Sequence, residues 1–213
     1  MVESHAIVFQ KHFPFIIALG LLAGLAGCRR QQAAFEMLQP PAATPAGLQK
    51  YWALPDFTLT ERSGQPLRLS DLAGKVWVAD FFYTTCPGPC PMLTSHLSEV
   101  QKALGSAPEV RLVSISVDPA KDTTDVLKVY ATRFQAGENW LFCTGEKDAI
   151  YNLAHDGFKL PIAAATAESA PIIHTTRLIL VDQTGTVRGF YEGATDAGLQ
   201  DLVRDIRRLL EEK

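Results

Sequence analysis

The sequence predicts an α/β fold with a mixed central sheet flanked by helices. Three observations carry that reading. The runs VWVADFFY (Val76–Tyr83), VRLVSISV and TTRLILVD are near-continuous apolar stretches rich in β-branched and aromatic residues, as in strands buried on both faces. Segments with Leu and Val at helical spacing stand between them. The last apolar run leads through the tight turn QTG into TVRGFYEG, so the chain closes on a hairpin.

Taken in order, LPDFTLT alternates Phe57 and Leu59 as a short strand does, and GQPLRLSDLAGK gives a turn, a second short strand and a helical turn capped by Ser70 or Asp71. Val76–Tyr83 runs straight into TTCPGPCPMLTSHL. Beyond it, Leu93, Leu97, Val100 and Leu104 mark a helix that Gly105 ends. VRLVSISV stops at Asp118-Pro119. A helix from about Thr123 to Arg133 follows, with Asp122 as its cap and Asp122 and Asp125 as a capping pair. NWLFCTG reads as a short strand, EKDAIYNLA as a short helix and LPIAAATAESAP as a patternless loop, and the closing hairpin is followed by a helix from about Ala197 to Leu210. Strand, cysteine pair, helix, strand, helix, then strand, strand, helix is the order of a thioredoxin-like fold. The extra helix and loop are an insertion before the closing hairpin.

With 213 residues, 47% of them apolar, the chain can form one domain with a sizeable core. A net charge of -3 gives no electrostatic footprint for nucleic acid, and no internal repeat is visible. Lys11 precedes an apolar run from Phe13 to Ala26 that is short for a membrane span and ends in LAGC, Leu25–Cys28. This resembles a bacterial lipoprotein signal, cut before Cys28, which then carries lipid; an uncleaved anchor or a plain secretory signal would also fit. The expected division is a signal over residues 1–27, a lipidated Cys28 with a flexible Ala- and Pro-rich tether over 28–50, and a folded domain over 51–213. Such a domain works outside the cytoplasmic membrane, on the periplasmic side, held there by its lipid.

Three cysteines remain. Cys143 lies in a short strand and reads as a buried hydrophobe. Cys86 and Cys90 flank Pro87-Gly88-Pro89 and precede Pro91. Residues before proline avoid helical geometry, and Pro91 suits a first helical position, so Cys90 is expected at a helix entrance with Cys86 on a stiff loop above it. A helix N-terminus favours thiolate, which is both a nucleophile and a soft metal ligand. A purely structural disulfide would close only a tiny loop and add little stability. That leaves a redox couple or a metal clamp, and soft sulfur favours Cu(I), with a nearby imidazole extending the site to Cu(II).

His96 lies about 9 Å along the helix from Cys90 and is expected to point away as a surface residue. His155, at the end of a short helix, reads as solvated. His174 stands just before TTRLILVD, in the loop that a thioredoxin-like fold presents beside its cysteines, and is the candidate third ligand. Asp80, six residues before Cys86, is a carboxylate inside a buried strand. It is either bonded to a polar neighbour or a proton acceptor for the second thiol, as thioredoxins use an aspartate at this offset. Asp118 and Pro119 read as a turn at the end of the second buried strand.

DFFYTTCPGPCP, VSISVDPAKDTTDVLKVYA and IIHTTRLILVD together resemble the Sco/SenC family of copper-binding, thioredoxin-fold assembly proteins, over about Leu54 to Leu210. The resemblance implies copper held by Cys86, Cys90 and His174, a Cys86–Cys90 disulfide when oxidised, and a role in building the dinuclear copper centre of cytochrome c oxidase. The implied partners are a copper-receiving oxidase subunit or another thiol client, and the membrane through the anchor; no nucleic acid is expected. Asp80 departs from the family pattern and keeps open an enzymatic alternative: a thiol–disulfide oxidoreductase with Cys86 as nucleophile, Cys90 resolving and Asp80 assisting. A copper or redox sensor is the third reading.

Overall fold

The computed structural model describes residues 47–105, 107–160 and 175–212. The expectations for the signal, Cys28, the tether before residue 47, the 161–173 stretch and His174 lie outside the described residues.

Seven strands form one sheet: β1 (Thr58–Glu61), β2 (Pro66–Arg68), β3 (Val76–Phe82), β4 (Val110–Ser116), β5 (Trp140–Thr144), β6 (Arg177–Val181) and β7 (Val187–Glu192). Their order across the sheet is β2-β1-β5-β4-β3-β6-β7. Strands β3, β4 and β5 run parallel, and the flanking pairs are antiparallel. The sheet is therefore mixed, and its topology is thioredoxin-like. Every residue of β3 is buried, as its unbroken apolar run predicts.

Among the described residues, four α-helices accompany the sheet: α1 (Pro89–Leu104), α2 (Thr124–Arg133), α3 (Lys147–Asn152) and α4 (Asp196–Glu211). Side-chain alternation places Val78, Asp80 and Phe82 of β3 on one face, level with Leu112, Ser114 and Ser116 of β4. Tyr130 of α2 covers that face, its ring 5.3 Å from Phe82 and 6.1 Å from Phe142. Trp77 and Phe81 point to the opposite face, where Phe158 packs edge-on against both. In α4, Leu199, Leu202, Ile206 and Leu209 form the buried stripe of an amphipathic helix. Gly105 closes α1 with φ +64, a left-handed conformation that glycine adopts without strain.

Three local expectations change. Helix α1 opens at Pro89 rather than Pro91. Both prolines fall within the first turn, whose N–H groups have no helical partner to lose. Thr123, not Asp122, caps α2 by accepting the Val126 N–H. At the turn Leu69–Leu72, Arg68 takes the capping position, and Asp71 reaches back from inside to accept the Arg68 N–H at 2.8 Å.

Candidate functional site

The central strand ends where the cysteines begin. Tyr83 and Thr84 leave β3, Cys86 turns back so that its N–H donates to the Tyr83 carbonyl at 3.3 Å, and Pro89 starts α1 with Cys90 in its first turn. Both cysteines are free thiols and nearly inaccessible, at 7% and 6% exposure. The Thr94 hydroxyl bonds back to the Cys90 carbonyl at 2.8 Å and shares a 3.0 Å bond with the Tyr130 hydroxyl, tying the first turn of α1 to α2.

The two thiols are electrostatically unequal. Burial alone would raise Cys86, but hydrogen bonds from the Cys90 thiol, the Cys90 and Gly88 backbone and the Tyr83 hydroxyl outweigh it and hold this thiol below the ordinary range. Burial, the bond given to Cys86 and the charges of Cys86 and Asp80 push Cys90 up to about 12. Of the two thiols, Cys86 is therefore the more easily ionised and Cys90 the one that holds its proton. Tyr83 is pushed up to about 12 by burial and by its bond to Cys86, so it remains a donor.

Asp80 lies beneath the pair. Its in-register neighbour across the parallel ladder is Ser114, whose hydroxyl donates to the Asp80 carboxyl at 2.6 Å and accepts from the Trp140 indole at 2.9 Å. Burial raises Asp80 to about 7, and the Ser114 bond only partly offsets it. Asp80 thus has the polar partner that one reading expects, and its charge raises the Cys90 thiol.

The other candidates separate from the pair. Cys143 is fully buried, and its register with Ile115 puts it on the sheet face opposite Asp80; burial raises its thiol well above the ordinary range. His96 does lie down α1, yet it is half-buried rather than free on the surface, with Nδ1 2.7 Å from the Gly193 carbonyl. His155 is exposed and paired with Asp156 at 2.7 Å. The Asp118 carbonyl accepts from the Lys121 and Asp122 N–H groups in a turn, and its carboxylate pairs with Lys121 at 3.1 Å.

Sequence reasoning missed Tyr83, Ser114 and Thr84, and it read as a cap Asp122, whose carboxylate accepts from Thr84 and Ser116. Tyr83 had one available signal, a phenol three residues before Cys86 at the end of an apolar strand. Among the described residues, no three His, Cys, Asp or Glu side chains are grouped as a metal site.

A mixed sheet with a dithiol at the junction of its central strand and a helix, over a buried aspartate, defines a thioredoxin-like protein. The SCO1/SenC family model matches residues 46–211, and the chain belongs to that family. A SCO1/SenC family lipoprotein from Bacillus anthracis is 35% identical, with TM-score 0.69, covering 75% of this chain and 95% of that one. BsSco, described as a Sco family cytochrome c oxidase assembly protein with a disulfide switch, is 31% identical, with TM-score 0.68 and coverage of 78% and 97%. ScoI of Bradyrhizobium japonicum, solved with copper bound, is 25% identical, with TM-score 0.62 and coverage of 74% and 99%. No helix among the described residues is long and apolar enough to cross a membrane.

Proposed function

We propose that this chain is an extracytoplasmic copper carrier, tethered to the membrane through lipid on Cys28, that serves assembly of the dinuclear copper centre of cytochrome c oxidase. Cys86, Cys90 and His174 are its copper ligands. The observation that carries the reading is the pair of buried free thiols on a proline-braced loop at the entrance of α1. A soft cation displaces the thiol protons and gains two sulfur donors on one short loop. His174 is supported by what surrounds the start of β6. Gly193 donates to the Thr176 carbonyl at 2.9 Å, and a Cβ at Gly193 would lie 2.5 Å from the Leu93 side chain and 2.8 Å from that carbonyl. Glycine there lets the chain two residues beyond His174 approach α1 within one turn of Cys90. The copper-bound ScoI and the oxidase-assembly BsSco support the cargo and the client class, and the B. anthracis lipoprotein supports the anchor.

Copper is the cargo here. Copper titration of the reduced full chain, followed by thiolate-to-copper absorption, is the test. It should saturate at one copper per chain, with the band lost in Cys86→Ser and Cys90→Ser and affinity reduced at least about tenfold in His174→Ala. Unchanged binding in the cysteine variants would contradict the proposal.

A second reading, thiol–disulfide exchange, is favoured by the unequal thiols and by Asp80. The Cys86 thiolate attacks one sulfur of a client disulfide, forming a mixed disulfide and expelling the other client sulfur as thiolate. Cys90 gives its proton to Asp80 and attacks the Cys86 sulfur, releasing the second client thiolate. The client gains two electrons, and Cys86–Cys90 is left oxidised. Turnover that falls in Asp80→Asn while copper affinity stays constant assigns Asp80 to this reaction.

A further inference from the structure

Asp122 is fully buried, yet it is neither the cap of α2 nor a member of an ion pair. Its carboxylate turns toward the cysteine loop. One oxygen accepts the Thr84 hydroxyl at 2.5 Å; the other accepts the Thr84 backbone N–H at 3.0 Å and the Ser116 hydroxyl at 2.5 Å. Ser116 ends β4 opposite Phe82, and its hydroxyl also accepts the Asp118 N–H at 3.1 Å. One carboxylate therefore joins the end of β4, the turn before α2 and the first loop residue after Tyr83. A buried carboxylate is costly unless donors surround it, and two of these three donors belong to the loop.

We infer that Asp122 is a positioning residue of the thiol site, gripping Thr84 by backbone and side chain and so fixing the path of the loop from Tyr83 to Cys86. This rests on the reading that the pair is the working site, and it adds a determinant within the Asp-x-x-x-Asp segment that otherwise passes for a turn and a cap. Asp122 touches neither sulfur. It acts through Thr84, whose carbonyl side continues through Thr85 into Cys86, and through the fixed direction of the chain as it leaves β3.

The test compares the full reduced chain with Asp122→Ala and Asp122→Asn, reading copper affinity by chelator competition and the Cys86–Cys90 disulfide equilibrium against glutathione. Asparagine keeps one oxygen for the Thr84 N–H and Ser116, and its amide can donate to the Thr84 hydroxyl. The expected result is a loss of at least about tenfold in both quantities for Asp122→Ala, with Asp122→Asn within about threefold of the native chain. An alanine variant that melts earlier but keeps both quantities within about twofold overturns the inference, because a merely structural role moves only stability. Should Asp122→Ala fail to fold, Thr84→Val and Ser116→Ala each remove one hydroxyl donor. Both are expected to weaken the two quantities by about threefold or more, and unchanged values overturn the inference. A native chain that takes no copper, with a disulfide equilibrium still displaced by Asp122→Ala, defeats the copper proposal and supports this one.

Discussion

Asp80 sets the energetic character of the site at the level of single residues. An ordinary aspartate ionises near 3.8, whereas burial holds this one to about 7. Between those values the unfolded chain releases a proton that the folded chain retains, so folding stability falls as pH rises from about 4 to 7. Asp80→Asn, which keeps an acceptor for Ser114 but cannot ionise, is expected to be more stable than the native chain at pH 8, by up to about 4 kcal/mol. The difference should shrink toward zero below about pH 4, and urea melts at the two pH values check it. The aspartate was legible in the sequence because a charge inside an unbroken apolar strand stands out. Its partner Ser114 was not, since register across two strands separated by a helix cannot be read from either strand alone. Asp122 was seen but misassigned, because capping logic considers only the next helix and not a loop far back in the chain.

Among the elements, the hairpin β6–β7 and the last helix are joined by one buried cation. Arg188 donates to Asp182 at 2.9 Å and Glu212 at 2.8 Å, and to the carbonyls of Leu48 and Gln49. It thereby ties the first described residues to the C-terminal end of α4. Burial would raise Asp182, but bonds from Thr184, Thr186 and Arg188 overcome it and hold the carboxylate below its usual range. That contribution is present above the ordinary aspartate range and is lost as pH falls through the lowered value. Arg188→Leu strands the buried Asp182 charge and is expected to cost about 3–5 kcal/mol in denaturant unfolding at pH 7, with the deficit smaller in acid. Strands and helices were largely readable, since periodicity and caps are local. Their ends moved by a few residues where two signals competed, as at Pro89 and Pro91. The Arg188 clamp joins residues 139 and 140 positions apart and leaves no local trace.

The whole molecule follows from β3, the central buried strand. Two parallel crossovers place α1 and α2 over the face that carries Asp80, and the antiparallel β6–β7 hairpin brings the segment after His174 back beside β3. The topology sets the entrance of β6 beside the end of β3, where the cysteine loop begins. The order of elements made the fold legible, and the spacing of Cys86 and Cys90 made half of the site legible. The interactions that make the two sulfurs unequal were hidden, because they depend on Tyr83 and the charge of Asp80 meeting the pair in space. The central claim is that one copper ion takes both sulfurs and the imidazole at position 174. X-ray absorption at the copper edge of the loaded full-length chain measures this directly. The account predicts two sulfur neighbours and one imidazole nitrogen, with the nitrogen signal lost in His174→Ala. A spectrum with fewer than two sulfurs, or one that His174→Ala leaves unchanged, would contradict it.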